Sequence, residues 1–365
     1  MKKERNIGLD LLRILLAIAV IIVHFNAEET GRVASSVHWL PMKFLVYGMN
    51  SVVTPAVNIY VIMSGYFAYL YMKSYKQVVS SLVKLWFCLV FFSVGGAVFV
   101  SFLSTGSVSF LIVVKRLFPL ITGEWWYMSV YFATLLISPF MNKAVNSFGK
   151  SDSFLFLGAM LLVCSILPFF TKFNEPLGVN LGYSFIWFIL LYYTGAVICK
   201  YFNYIQSKWY LLSYFGLALI NVMVGYIASK IEILAGYGLS TYNSIILYLQ
   251  AIFCFLWFKN LTIKNFRLNK IITYLSGLSL ASYIFHCQTD IGSMIWRELS
   301  PSQYADNIKL IPVFIITVLG IYIVSILIEI FRRKLVSIGG FEKIIINQIT
   351  NSIHNVWKSF YRPFK

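Results

Sequence analysis

The sequence predicts an all-α integral membrane protein, a bundle of about ten transmembrane helices with both termini in the cytoplasm. Three observations carry that reading. Of 365 residues, 59% are hydrophobic and 12% charged, whereas a soluble domain is nearer half apolar and a quarter charged. The mean hydropathy is +0.78, and the apolar residues fall into runs of about 17–25, enough to cross a ~30 Å hydrocarbon core. Lys and Arg lie mostly on one side of those runs, which orients them.

The ten segments are 8–26, 48–71, 79–103, 124–141, 153–170, 184–200, 209–229, 244–258, 271–291 and 310–331. The first is read as a span rather than a cleaved leader, because it is long, precedes Glu28 and Glu29, and lacks a small-residue cleavage site. With a cytoplasmic start, the inner segments and Lys200 hold 20 Lys and Arg and the outer segments hold eight. This bias places both ends inside. It also accounts for the net charge of +17 as orientation and contact with anionic lipid, not nucleic-acid binding. The loop 104–123 contains FLIVVKRLF, a candidate interfacial helix, and residues 336–365 read as a basic amphipathic tail on the inner membrane surface. The five cysteines have no paired spacing and read as buried thiols; no metal-ligand cluster is expected.

Ionisable groups inside spans cost several kcal/mol unless paired or hydrated, so each is a functional candidate. Asp10 and Arg13 are three apart on the first helix and can pair. Arg13 and His24 are eleven apart, three turns plus about 20°, so they share a face about 16 Å apart along the axis. Lys84, after Lys76, falls in the inner half of span three, although a lysine there can also snorkel to the headgroups. Glu124 lies at the outer end of span four. Tyr283, His286 and Asp290, spaced by three and four, lie on one face near the outer end of span nine. Cations thus gather on the inner side, histidines and carboxylates on the outer side. A cationic inner patch suits a phosphorylated donor. An outer His and carboxylate set suits general base catalysis on a hydroxyl. Trp126, between Trp125 and Tyr127, can stack on a sugar or join an interfacial aromatic belt. Ser64, before Gly65, reads as a close-packing point between helices more readily than as a nucleophile.

Several blocks then resemble one family. GLDLLRILLAIAVIIVH resembles the first span of the membrane acyltransferase 3 family, whose mark is Arg-x10-His, here Arg13 and His24. VNIYVIMSGYF resembles its Ser-Gly signature, GEWWYMSVYFATLLISPFMN its aromatic fourth span, NLGYSFIWFILLYYTGAVI a Tyr-x-x-Gly span, and LSLASYIFH its late Ser…Tyr-x-x-His signature. The blocks follow the expected order from end to end. The resemblance implies a membrane acyltransferase domain over 1–335, in a bacterial plasma or inner membrane. It further implies an O-acyltransferase passing an acyl group, commonly acetyl from acetyl-CoA, to a hydroxyl of an extracytoplasmic or lipid-linked polysaccharide. On it, His24 is the catalytic base and Arg13 binds or positions the CoA donor. Glu124 and His286 shape the outer pocket, and no metal takes part. Many relatives carry His or Asn at the Glu124 position, and an arginine pair where this chain has Lys76 and Lys84. The chain ends without the extracellular domain that some relatives carry. Expected partners are acyl-CoA, the glycan and membrane lipids; the oligomeric state stays open, a homodimer included. A transporter, flippase or polymerase of lipid-linked glycans is the alternative from another class.

Overall fold

The computed structural model describes residues 5–171, 177–202, 207–228, 241–339 and 341–360. Among them there is no strand, and the chain is a bundle of helices. Among the described residues, six helices are long and apolar enough to cross a bilayer alone: Ile7–Asn26, Leu40–Tyr71, Tyr75–Thr105, Lys150–Phe170, Lys208–Ile227 and Leu310–Ser337. Phe185–Tyr201 and Ile245–Lys259 are apolar but shorter. The fourth expected span is a helix rich in hydroxyls and amides, and the ninth is broken.

In chain order, α1 (Ile7–Asn26) is followed by the short α2 (Val33–Ser36) and by α3 (Leu40–Val53). Pro55 separates α3 from α4 (Ala56–Tyr71), because its ring and missing N–H interrupt the ladder. Ser74 and Gln77 form a capping box that starts α5 (Tyr75–Thr105), and Gly106 in the left-handed region ends it. The segment expected to be interfacial forms α6 (Phe110–Arg116), with Phe110 and Leu111 exposed. Next come α7 (Trp126–Ser147), then α8 (Lys150–Leu161) and α9 (Leu167–Thr171) joined through a π turn, then α10 (Phe185–Tyr201), α11 (Lys208–Ala228) and α12 (Ile245–Lys259).

The expected span 271–291 is three helices: α13 (Phe266–Ser276), α14 (Leu280–His286) and α15 (Thr289–Leu299). This corrects the expectation that Tyr283, His286 and Asp290 share one helix face. Tyr283 and His286 lie on α14, whereas Asp290 belongs to the first turn of α15. The long α16 (Leu310–Gly339) and the tail helix α17 (Phe341–Phe360) follow. The tail does not lie free: it packs along α5, with Ile346 and Thr350 buried, while Ile344, Ile345 and Ile353 stay exposed.

Two apolar cores flank α1. Leu9, Leu12, Leu16 and Val20 join the larger one, built with α4, α7, α10 and α12. Ile21 and Phe25 join the smaller one, built with α2, α3 and α16. α10 is the most enclosed helix, with every residue from Leu190 to Ile198 buried. It meets α4 backbone to backbone, since a Cβ on Gly65 would overlap the Tyr192 carbonyl and one on Gly195 the Ile62 carbonyl. Small residues permit that approach, the usual way helices associate where no hydrophobic effect separates helix from lipid.

Candidate active site

A cavity of about 1660 Å³ runs beside α1. Its wall on α1 includes Asp10, Arg13, Ala17, Val20 and His24, with Val23 beside them, a stripe of three- and four-residue steps that an α-helix keeps on one side. The cavity end nearest the start of α1 is lined by Arg5, Arg13 and Lys73. The opposite end is lined by Glu28, Glu29, Arg32 and Arg297, with the aromatic rings of Trp126, Tyr183 and Tyr242.

At the cationic end Asp10 is a hub. It is 3% exposed and accepts from Arg13 (Nη1, 3.2 Å), from Ser276 (Oγ, 3.0 Å) and from the Arg5 guanidinium. A buried carboxylate is tolerable only with such partners. Arg13 is further held by the Phe67 ring, 5.6 Å from its guanidinium carbon, and keeps 31% of its side chain exposed toward the cavity. Lys76 and Lys84, the expected donor contacts, are exposed on α5 and do not line the cavity. Lys73 and Arg5 stand there instead.

Midway, Ser64 donates to the Tyr60 carbonyl at 2.8 Å and lies 3.2 Å from the Tyr131 hydroxyl. Its main bond is thus a helix-internal one, in keeping with packing rather than nucleophilic use.

The centre is made where α1 meets the break after α14. Because the helix stops at Cys287, the Ile284 carbonyl lacks its next intrahelical donor, and the buried Trp125 supplies one through Nε1–H at 3.2 Å. Gln288 caps α15 by accepting from the Ile291 N–H at 2.7 Å. Gly96 on α5 leaves room for it, since a Cβ there would lie 2.7 Å from the Gln288 amide. The break aims His286 at α1, with Nε2 2.8 Å from Nδ1 of His24. Tyr283 lies beside it against Tyr127, ring centroids 5.6 Å apart.

The hydrogen-bond partners assign the tautomers of this pair. His286 Nδ1 contacts the Ser282 carbonyl, which can only accept, so Nδ1 carries the proton. In a neutral ring Nε2 of His286 is then an acceptor, and His24 Nδ1–H donates to it. Neutral His24 is left with a lone pair on Nε2, the arrangement a general base needs.

Glu124 also lines the cavity, but its own bonds join it to a separate polar cluster. Its side chain is fully buried and pairs with Arg116 at 3.0 Å. Ser93 donates to it, as does Gln288 at 2.8 Å. The same Arg116 pairs with Asp290 at 2.7 Å. Asp290 therefore faces α6 and does not line the cavity. Arg116, Gln288 and Cys287 escaped the sequence reading; the polar run CQTD inside an apolar segment was the available signal for all but Arg116.

The model of the acyltransferase 3 family, described as an acyltransferase domain, matches residues 6–330. The chain belongs to that family. No curated protein and no solved structure matches it. The match takes in the helices from α1 through most of α16, and every cavity-lining residue except Arg5. The apolar helices and this family together make the protein a multi-pass membrane acyltransferase. In this acyltransferase the fold also joins three metal-ligating groups that the sequence spacing does not reveal. His24, His286 and Cys287 offer ligand atoms all within 4.8 Å of one another.

Proposed function

We propose that the protein is an O-acyltransferase that moves an acyl group, most simply acetyl, from cytoplasmic acyl-CoA to a hydroxyl of an extracytoplasmic or lipid-linked polysaccharide. The observation that carries this reading is one continuous cavity, cationic at one end and lined at the other by aromatic rings and both signs of charge, with the histidine pair on its wall. Guanidinium and ammonium groups at the first end suit the phosphates of a nucleotide thioester. Aromatic faces at the second end suit a pyranose ring, with carboxylates to accept from its hydroxyls. The positive-inside pattern puts the first end in the cytoplasm.

In this mechanism His24 Nε2 takes the proton of the acceptor hydroxyl as its oxygen attacks the thioester carbonyl. His286 Nε2 accepts from His24 Nδ1–H throughout and steadies the imidazolium that forms. The tetrahedral intermediate collapses to the ester, and the CoA thiolate leaves and takes a proton from His24. Arg13, held by Asp10, positions the donor.

The test uses purified full-length protein, acetyl-CoA labelled in the acetyl group, and envelope glycan. Label in ester linkage to the glycan, lost in His24→Ala, is the expected result. Arg13→Ala is expected to raise the donor KM about tenfold or more, the scale of losing a charge-assisted contact. An unlabelled glycan fraction, or transfer undiminished in His24→Ala, overturns the proposal.

A further inference from the structure

The turn that follows α14 places a thiol against the histidine pair. Cys287 Sγ lies 3.4 Å from His24 Nδ1 and 3.9 Å from its Nε2. The acyl transfer described above gives this sulfur no task, and with His24 and His286 it completes a His2Cys set whose ligand atoms lie within 4.8 Å of one another. Imidazole and thiolate are the ligands zinc prefers.

One of the three ligand separations already matches a tetrahedral ion, a second needs a small opening, and the third, between His286 and Cys287, lies within 4.8 Å. Zinc bonds of about 2.0–2.1 Å to nitrogen and about 2.3 Å to sulfur separate nitrogen from nitrogen by roughly 3.3 Å and nitrogen from sulfur by roughly 3.6 Å. The His24 nitrogen and the Cys287 sulfur, at 3.4 Å, already have that spacing to within a fifth of an ångström. The two histidine nitrogens, at 2.8 Å, need to open by about half an ångström. His286 is already oriented as a ligand: Nδ1–H is bonded to the Ser282 carbonyl, the usual support for a metal-bound histidine, and the Nε2 lone pair that accepts from His24 can turn to the ion. All three residues line the cavity, which supplies an entry path and an open fourth position for water.

We propose that His24, His286 and Cys287 form a site for a soft divalent cation of the zinc type, and that its occupation shuts off acyl transfer. On binding, Cys287 loses its thiol proton to water and coordinates as thiolate. His24 coordinates through Nδ1 and shifts its proton to Nε2. The lone pair that accepts the hydroxyl proton is then gone. This inhibitory consequence rests on the reading of His24 as the base; the binding itself does not.

The test uses the full chain, reduced, stripped with a chelator and held in lipid nanodiscs, titrated with zinc and with cobalt(II) as a spectroscopic substitute. One zinc retained per chain after desalting is expected, with a thiolate-to-cobalt charge-transfer band. Four other cysteines, Cys88, Cys164, Cys199 and Cys254, are present, so Cys287→Ser identifies the ligand. That variant should lose the band and bind zinc at least about tenfold more weakly, since even outer-shell changes at such sites cost about 10–100-fold. Its metal-free transfer rate should stay within about twofold of the parent's, and its transfer should resist zinc. Substoichiometric zinc, or a band and affinity unchanged in Cys287→Ser, overturns the site. Zinc held through Cys287 with transfer intact leaves the site standing and overturns His24 as the base.

Discussion

Nε2 of His286 lies 2.8 Å from Nδ1 of His24, although 262 residues separate them in the chain. The contact orders a chain from the Ser282 carbonyl through His286 to His24, and so determines which His24 nitrogen is free. His286→Ala removes the acceptor and lets His24 adopt the other tautomer. General base catalysis contributes about 10²–10⁴-fold, so kcat should fall about 100-fold while the donor KM stays within about twofold. His286→Gln, whose amide oxygen can accept from His24 Nδ1–H, should recover part of the loss. Steady-state kinetics on the three proteins checks this. Equal damage to the donor KM, or no recovery with Gln, assigns His286 a purely structural part.

Arg116 sits between two carboxylates, Glu124 at 3.0 Å and Asp290 at 2.7 Å, and ties α6 to the start of α15. Removing it leaves the fully buried Glu124 charge without its cation, a loss that typically costs about 3–5 kcal/mol. Arg116→Ala should therefore lower the unfolding midpoint clearly in detergent, and adding Glu124→Gln should restore part of it by removing the stranded charge. Arg116→Lys should not substitute fully, because a single ammonium lacks the fork that reaches both carboxylates. A double variant no more stable than Arg116→Ala contradicts this account.

The helical phase of α1 was legible in the sequence because one unbroken helix holds Asp10, Arg13 and His24, and 3.6-residue geometry does the rest. The α14–α15 break was not. The polar run CQTD hints at a break, but the apolar residues around it read as one span, and the residues that end the helix do so through distant partners: Trp125 on the Ile284 carbonyl, and Gly96 making room for Gln288. Periodicity therefore put Asp290 on the wrong helix. The cavity cations were misplaced for a related reason. Lys76 and Lys84 satisfy a depth criterion, but which side of α5 faces the cavity depends on packing, and Lys73 and Arg5 join Arg13 at its cationic end instead. Glu124 was found at its depth, while its partner Arg116 looked like an ordinary loop charge.

The seam between α4 and α10 should tolerate no side chain at its two glycines. An alanine at Gly195 would drive Cβ into the Ile62 carbonyl, and one at Gly65 into the Tyr192 carbonyl. Backbone cannot yield as a flexible side-chain end does, so each variant should lose about 1–3 kcal/mol or more. Gly95→Ala is the control, since a Cβ there meets nothing within 4 Å. Thermal unfolding in one detergent ranks the three. Gly195→Ala as stable as Gly95→Ala would show that the helices can separate at little cost.

Asp306, in the turn before α16, accepts from the backbone N–H groups of His38 at 2.6 Å and Trp39 at 2.7 Å, where Trp39 caps α3 without a side-chain bond of its own. Those two N–H bonds favour the charged form and hold its pKa below the ordinary carboxylate value, with the nearby His38 adding to the effect. A depressed folded pKa gives stabilisation that is fully present above the unfolded value, about 3.9, and is lost as pH falls through the lower folded value. Hydrogen exchange at the His38 and Trp39 amides, corrected for intrinsic rate, should therefore show protection that is flat near neutrality and fails below about pH 4. Asp306→Ala should lose the protection at every pH. Asp306→Asn keeps an acceptor oxygen but cannot ionise, so its weaker protection should no longer depend on pH in this window. Acid-dependent opening that persists in Asp306→Asn would place the titrating group elsewhere, with His38 the nearest alternative.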